Sequence, residues 1–448
     1  MRVWLEIDEE RLAENFRVLQ EAVAGNGAGG AGAPTAVLAV VKANAYGHGL
    51  EVCAPVLARA GAEWLGVTDA EEGVQVRAAL GAAGIAVERQ PRVLVMSGMM
   101  GMEGEAELVV RYGLTPVVWE RGQVERLAGA VRTSSVRAAG ARPVGVHLEI
   151  DTGMARQGVA AGGELAAVLE VLRGAAAEVT LEGVFTHFAS TEVAHSEQTR
   201  AQQRRFGEAM AQVRKAGFAP EWVHVGNSSY IDNGAEGGAE GGAEGGSLEW
   251  VRRVVAVDSL GFRAGSSEPR AGSSEVQGGS LRPRAMVRAG LGLYGYLLPI
   301  EGDAADAAAE RVGGAVRPVM QWKTRVTGVR EVEAGATVGY NGTFVAERRM
   351  RLALLPVGYA DGLRRELSAT NGRAGGWVRV RGEKAAVVGR VSMNLTVVDV
   401  TEIAGVAVGD EALLLGDGVT AEDHARLAGT IAYEILCGVR PARAAVTS

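Results

Sequence analysis

The chain has 448 residues, 47% hydrophobic and 22% charged, with a formal net charge of −7, a balance ordinary for a folded protein. Mild acidity excludes a basic footprint for nucleic acid, and the length predicts two domains or one large barrel with an addition. Two cysteines, Cys53 and Cys437, lie far apart and offer neither a disulfide framework nor metal-ligand spacing, so no metal is expected.

The opening MRVWLEIDEE lacks the basic and apolar regions of a signal peptide, and no apolar run is long enough to cross a bilayer. The cytoplasm is the expected compartment. The first strand-like run, VWLEI (3–7), is expected to pair with a later β domain. Short β-prone runs then recur at AVLAVVK (36–42), WLGVTD (64–69), RVLVM (92–96), TPVVW (115–119), VHLEI (146–150), LEGVFTHF (181–188), WVHVGN (222–227) and VRAGLGLYGY (287–296). Amphipathic stretches at 164–178 and 197–217 have helical spacing. Eight strands alternating with helices predict a (β/α)8 barrel of the TIM type, an α/β fold, over residues 9–297.

One segment does not suit a packed core. GAEGGAEGGAEGG (234–246) and the tandem RAGSSEP and RAGSSEV (263–276) predict a surface insertion over 234–280, before the eighth strand. Within it, 247–262 is apolar enough for a small ordered element. From about residue 318 the text turns to strands joined by turns, predicting a C-terminal mainly-β domain over 298–448, joined by the N-terminal strand 1–8. A short helix at 420–429 and the segment 430–439 close it.

A barrel enzyme carries its catalytic groups at the C-terminal ends of its strands. Lys42 ends the first strand and is either a surface anchor or a buried amine kept for Schiff-base chemistry. Tyr46 and the glycines around it would let backbone approach a bound group. His187 alone reads more often as a satisfied core histidine, and Ser228 and Tyr433 alone read as turn or core residues. Arg288, at the start of a strand and flanked by Met286 and Val287, is not a solvated arginine.

VVKANAYGHG (40–49), IDTGMARQG (150–158), THFAS (186–190), HVGNSS (224–229), MVRAGLGLYGY (286–296), VGYNGTF (338–344), VGYADG (357–362), GRVSMN (389–394) and TIAYEIL (430–436) resemble, in order, the motifs of the alanine racemase family. The resemblance implies a pyridoxal 5′-phosphate enzyme that interconverts L- and D-alanine, supplying D-alanine for peptidoglycan. Lys42 would hold the cofactor as a Schiff base and act as one of two bases. The other would be Tyr340, reaching across from the partner subunit of a homodimer. Tyr46, Asn227, Ser228, the backbone near Gly290 and Leu291, and Tyr433 would hold the phosphate. Arg288 would face the pyridine nitrogen and, being unable to give up its proton, leave that nitrogen unprotonated. His187 would link Tyr340 to Arg288, and His224 would support Arg288. Arg156 and the Met393 N–H would meet the substrate carboxylate. Tyr359, Arg365, Arg390, Glu192 and Ile431 would line the entrance, although the three charged residues read equally well as solvated surface.

Three positions depart from the family pattern. Glu149 stands where many members have a carbamylated lysine, and is expected to position Arg156 directly or through water, with activity indifferent to bicarbonate; a glutamate pointing elsewhere, with chloride or water in the gap, is the alternative. Asn394 replaces an aspartate often found beside the substrate, and Asn341 follows Tyr340 where glycine is usual. A serine or broad-specificity racemase, or a non-catalytic pyridoxal-phosphate binder, are the rival readings. Neither nucleic acid nor membrane is expected as a partner.

Overall fold

The computed structural model describes residues 2–24, 35–135, 142–234, 250, 283–302, 312–440 and 444–447. Strand β1 (Val3–Asp8) leads directly into a helix, Glu9–Ala24. That helix buries Leu12, Phe16, Leu19 and Val23 at helical spacing against the core. Eight parallel strands follow: β2 (Ala36–Val40), β3 (Trp64–Val67), β4 (Arg92–Val95), β5 (Thr115–Val118), β6 (Val144–Glu149), β7 (Val179–Phe185), β8 (Trp222–His224) and β9 (Arg284–Ala289). They close into a barrel in that order, β9 pairing with β2 through Val37↔Val287 and Leu38↔Arg288. Strands such as AVLAV are buried along their whole length, as expected of strands covered on both sides.

Two strand ends differ from the sequence reading. Strand β2 stops at Val40, so Lys42 lies just beyond it, where Ala43 to Tyr46 turn left-handed. Arg288 is next to last in β9, not at its start. The apolar run beyond it breaks at Gly290 into a single-turn helix, Leu291–Tyr294. Of the expected insertion at 234–280, Gly234 ends the helix Ser228–Gly234, and Trp250 rests on Phe188 and Phe206 at ring distances of 6.1 and 6.2 Å. The rest lies outside the described residues.

Beyond the barrel the strands pair antiparallel, except β1 with β19. Strands β10 (Met320–Arg325), β11 (Gly328–Val332), β12 (Thr337–Val338), β13 (Phe344–Val345), β14 (Met350–Leu355), β15 (Trp377–Val380), β16 (Glu383–Ala386), β17 (Thr396–Asp399), β18 (Glu411–Leu415) and β19 (Ala444–Thr447) form three sheets. The six-stranded sheet has the order β16-β15-β18-β10-β1-β19, with β1 antiparallel to β10 and parallel to β19. Strands β11, β14 and β17 form a second sheet, and β12 and β13 a hairpin. Helices Ala421–Ala428 and Ala432–Gly438 follow β18. No described helix is long and apolar enough to cross a membrane.

Asn15, on the first helix, ties the barrel's end to the start of the second part. Its amide donates to Leu293 O (3.0 Å) and Arg317 O (2.8 Å), and its carbonyl accepts from Arg317 N (2.9 Å). The residue is 1% exposed, so its loss strands Leu293 O in the interior and removes the partner of two part-buried backbone groups of Arg317. Asn15→Ala should lower unfolding free energy by about 2–4 kcal/mol, read by denaturant titration; a change under about 1 kcal/mol would contradict this bracing role.

Candidate active site

Arg288 is a cation buried inside the barrel, 2% exposed. Its Nη2 donates to Thr186 O (2.9 Å) and His187 Nδ1 (3.0 Å), and its Nη1 to His224 Nδ1 (3.1 Å). A guanidinium has no acceptor, so both imidazoles must present a bare Nδ1 and carry their proton on Nε2. His224 Nε2 then donates to His147 Nδ1 (2.8 Å), which leaves the His147 proton on Nε2 in turn. The Arg288 Cζ lies 4.9 Å from the Phe185 ring, which itself stacks on His224 at 4.3 Å. Burial first, and then the neighbouring arginine charges, push His147 down to about 3 and hold His187 well below its ordinary value. For His224 burial and His147 act before Arg288, also well downward. Arg288 itself is lowered by burial to about 10, against the favourable field of Glu149. Its buried Nε–H has no hydrogen-bond partner among the described residues.

Lys42 follows β2 and opens a turn in which Ala43, Asn44, Ala45 and Tyr46 all have φ of 53–54°. Left-handed backbone costs a side-chain-bearing residue about 1–2 kcal/mol, so four in succession require firm support. His48 supplies part of it by directing Nδ1 at Ala45 O (3.0 Å) and Tyr46 O (3.1 Å) while stacking on Tyr294 at 4.4 Å. The Tyr294 hydroxyl donates to Val40 O (3.0 Å) at the end of β2. Burial, with Arg156 and Arg288 nearby, holds the Lys42 amine below the usual lysine range.

Beside this lysine is a small polar cradle. A side chain at Gly290 would overlap the Tyr46 hydroxyl, so backbone and phenol approach more closely than a Cβ permits. Ser228 Oγ accepts from Gly290 N (2.9 Å) and Gly292 N (3.1 Å), leaving its own O–H to donate outward. Tyr433 comes in from the last helix, its ring 5.8 Å from that of Tyr46, and burial with the nearby Glu192 raises its phenol to about 12. Asn227 is turned the other way, its Oδ1 accepting from Tyr230 N (3.0 Å) at the following helix. Thr191 Oγ1 donates to Glu192 (3.0 Å).

Glu149 is buried, and the hydrogen bond it accepts comes from Gln157, not Arg156. Gln157 also donates to Met96 O (2.9 Å). The expected direct contact between Glu149 and Arg156 is therefore absent among the described residues, because Gln157, adjacent in sequence, occupies the carboxylate. Arg156 is exposed and acts on Lys42, His187 and Glu149 through its charge. Behind it, Thr186 donates to Ile150 O (2.8 Å), while Gln202 donates to Thr152 Oγ1 (3.1 Å) and His187 O (3.0 Å), fixing the loops that carry both residues.

A second set of expected residues lies elsewhere in the chain. Tyr340, at the tip of the β12–β13 hairpin, is 66% exposed. Asn341 takes φ 63°, the conformation a glycine would adopt, so the turn survives the exchange. Tyr359 N donates to Ser392 O and Ala360 N to Met393 O, each at 3.0 Å, stitching two loops together. Tyr359, Met393 and Ile431 are exposed, as is Asn394. Arg365 and Arg390 share a surface cleft of about 330 Å³ with Glu366, Ser368, Thr370 and Arg373. No hydrogen bond, ion pair or ring contact among the described residues joins Tyr340, Tyr359, Arg365, Arg390 or Met393 to Lys42 or Arg288.

Sequence reasoning missed His147, Gln157 and Glu72. His147 had a signal, since it is two positions before Glu149 on β6 and strand alternation sends both inward. A side chain at Gly183, on β7, would collide with its ring.

The Arg288 Nε–H, a buried donor awaiting an acceptor, suits a pyridine nitrogen. The Ser228–Gly290–Tyr46 cradle suits an anionic group, and the Lys42 amine suits an aldehyde. Among the described residues the donor set thus fits pyridoxal phosphate. Comparison with known proteins points the same way. Sequence models of the alanine racemase N-terminal and C-terminal domains match residues 7–242 and 319–446. An alanine racemase of Sorangium cellulosum is 34% identical over 444 residues, covering 97% of this chain and 96% of that protein. The structure of alanine racemase from Streptomyces coelicolor A3(2) superposes with a TM-score of 0.75 at 28% identity, over 100% of this chain and 98% of the other. The alanine racemase of Bartonella henselae with covalently bound pyridoxal phosphate shares the fold at 23% identity, with a TM-score of 0.70 and full coverage of both chains.

Five imidazoles, those of buried His48, His147, His224 and His424 and of partly buried His187, are held neutral in the fold, with His48 and His424 at about 4. Freed by unfolding they titrate near 6.5, so the stability they confer is present above about pH 6.5 and is lost as pH falls towards 4. Calorimetric unfolding at pH 5.5 in buffers of different ionisation enthalpy should register uptake of about four to five protons from these groups, and almost none from them at pH 8. Equal uptake at the two pH values would show that they are not neutral in the native state.

Proposed function

The chain belongs to the alanine racemase family of pyridoxal-phosphate-dependent isomerases, and on that premise we propose that it interconverts L- and D-alanine by moving a proton between two bases, Lys42 and Tyr340 of a partner subunit. The observation that carries the reading is the buried Arg288 with its Nε–H unpartnered, close in charge to a lysine whose amine is kept below its usual range. Pyridoxal phosphate, when bound, supplies an electron-withdrawing ring that acidifies the substrate's α-hydrogen. Lys42 holds the cofactor and then, through a neutral Nζ, takes or returns the α-proton on one face. Tyr340 Oη serves the opposite face, since inversion needs the proton to leave one side and return on the other.

Arg288 would donate a hydrogen bond to the ring nitrogen and, having no proton to give up at working pH, would leave that nitrogen unprotonated, a weaker electron sink that favours return of the proton to carbon. His187 passes the constraint from Arg288 towards Tyr340 through its Nε2–H, and His224 holds the other side of the guanidinium. Tyr46, Ser228, Gly290, Leu291 and Tyr433 would hold the phosphate, with the Ser228 hydroxyl turned outward by the two N–H groups it accepts, while Asn227 would orient this group from the start of the following helix. Arg156 and the Met393 N–H bind the substrate carboxylate. Tyr359, Arg365, Arg390, Glu192 and Ile431 frame the entrance. The exposure of Tyr340 and its lack of contact with Lys42 support a homodimer with shared sites, in which the barrel, 9–297, meets the partner's β domain, 298–448 with the strand at 1–8. The D-alanine would feed peptidoglycan synthesis from the cytoplasm.

Purified protein should form D-alanine from L-alanine by chiral chromatography, and both Lys42→Ala and Tyr340→Phe should lose at least 100-fold in rate, in keeping with removal of a general base. D-serine formed faster than D-alanine would move the assignment to another amino acid; a bound cofactor with no racemisation would leave a binding protein. Glu149 carries its carboxylate without modification, is held by Gln157 and lies within the field of Arg156. Rates with and without added bicarbonate should therefore agree, and stimulation would place a carbamylated group in the site.

A further inference from the structure

The strained turn after Lys42 is held from outside by one carboxylate, that of Glu72. Glu72 Oε1 accepts from Ala43 N (2.7 Å) and Asn44 N (3.4 Å), and Oε2 accepts from Thr68 N (2.7 Å). Consecutive N–H groups leaving a left-handed turn converge into a concave donor site, and an anion is the group such a site binds. Glu72 is itself fixed, because it sits in the first turn of helix Ala70–Ala82 and donates its backbone N–H to Asp69 Oδ1 (2.8 Å). Thr68 follows β3 and Ala43 follows the segment leaving β2. One side chain therefore ties the rim of the barrel together across the two strands flanking the reactive lysine. Inside the turn, Asn44 Oδ1 accepts from Leu50 N (2.8 Å) and His48 caps the far carbonyls, so Glu72 alone satisfies the near N–H groups among the described residues.

We propose that Glu72 is a positioning residue for the reaction: its carboxylate holds the left-handed turn in place and so sets where Lys42 and Tyr46 present their functional groups. This rests on reading Lys42 as the amine that carries the cofactor. The Glu72 charge also acts on Lys42 directly, favouring its ammonium form against the stronger effects of burial and the two arginines. A purely architectural tie would have the first effect without the second.

The test uses the full-length protein freed of cofactor, with Glu72→Gln and Glu72→Asp beside wild type. Glu72→Gln keeps the shape but loses the charge and turns one acceptor into a donor. Glu72→Asp keeps the charge on a stem too short to span both loops. Hydrogen exchange of the Ala43 and Asn44 amides should accelerate at least tenfold in both variants. The pH midpoint for capture of added pyridoxal phosphate, followed by absorbance, should move downward in Glu72→Gln and stay near wild type in Glu72→Asp. Cofactor affinity should weaken at least tenfold in both. Unchanged exchange, or faster exchange with unaltered affinity and midpoint, would overturn the proposal. Capture by a Lys42→Ala control would instead sink the assignment of the lysine, whatever Glu72 does.

Discussion

A positive charge that cannot be discharged is buried inside the barrel, and the chemistry around it is arranged to live with that. Arg288 needs acceptors, and the barrel provides neutral ones: two imidazoles and a carbonyl. A single carboxylate in contact would have paired the charge more strongly, yet the anion nearest in effect, Glu149, is engaged by Gln157. Neutral acceptors leave the guanidinium its full positive field and fix three proton positions in sequence, on His187, His224 and His147. Burying imidazoles so that they stay neutral is itself unfavourable in acid, so acid sensitivity comes with this choice.

The second constraint is conformational. A lysine at a strand end would ordinarily sweep a wide volume, since its stem has many rotamers. Here the backbone beyond it is wound the unfavourable way and pinned from both sides, by Glu72 on the N–H groups and His48 on the carbonyls. Strain of this kind persists only where the surroundings over-determine it. The residues on the β domain show the opposite character: Tyr340, Tyr359 and Met393 are exposed.

The alternation of strands and helices was legible from the sequence, because strands buried on both faces are written as plain apolar runs and all eight appear in the barrel. The reactive lysine and the buried arginine were legible as residues but not in their local geometry. Nothing in the text KANAY marks a left-handed turn, since alanine and tyrosine rarely adopt one and the support comes from Glu72 and His48. The strand containing Arg288 was read too late because its apolar pattern continues through LGLYGY, where glycines bend the chain out of the sheet. Glu72 looked like any acidic residue in a helix's first turn, and its second partner lies across the barrel rim. The direct contact of Glu149 with Arg156 is not made because Gln157, read only as part of a motif, takes the carboxylate.

The position of β1 has a bearing on how the molecule is made. That strand lies between β10 and β19, so it finds its neighbours only after the eight strands of the barrel have been synthesised. Chain elongation proceeds at about 5–20 residues per second, so the roughly three hundred residues separating β1 from β10 take on the order of 15–60 seconds to emerge. During that interval the barrel can close around its own strands while VWLEID waits as an unpaired edge. Its charged Glu6, later held by Lys323 at 2.7 Å, is the kind of residue that keeps such an edge from recruiting a stranger. The nascent chain thus carries a built-in delay, because β1 is paired only after the barrel that follows it has been made.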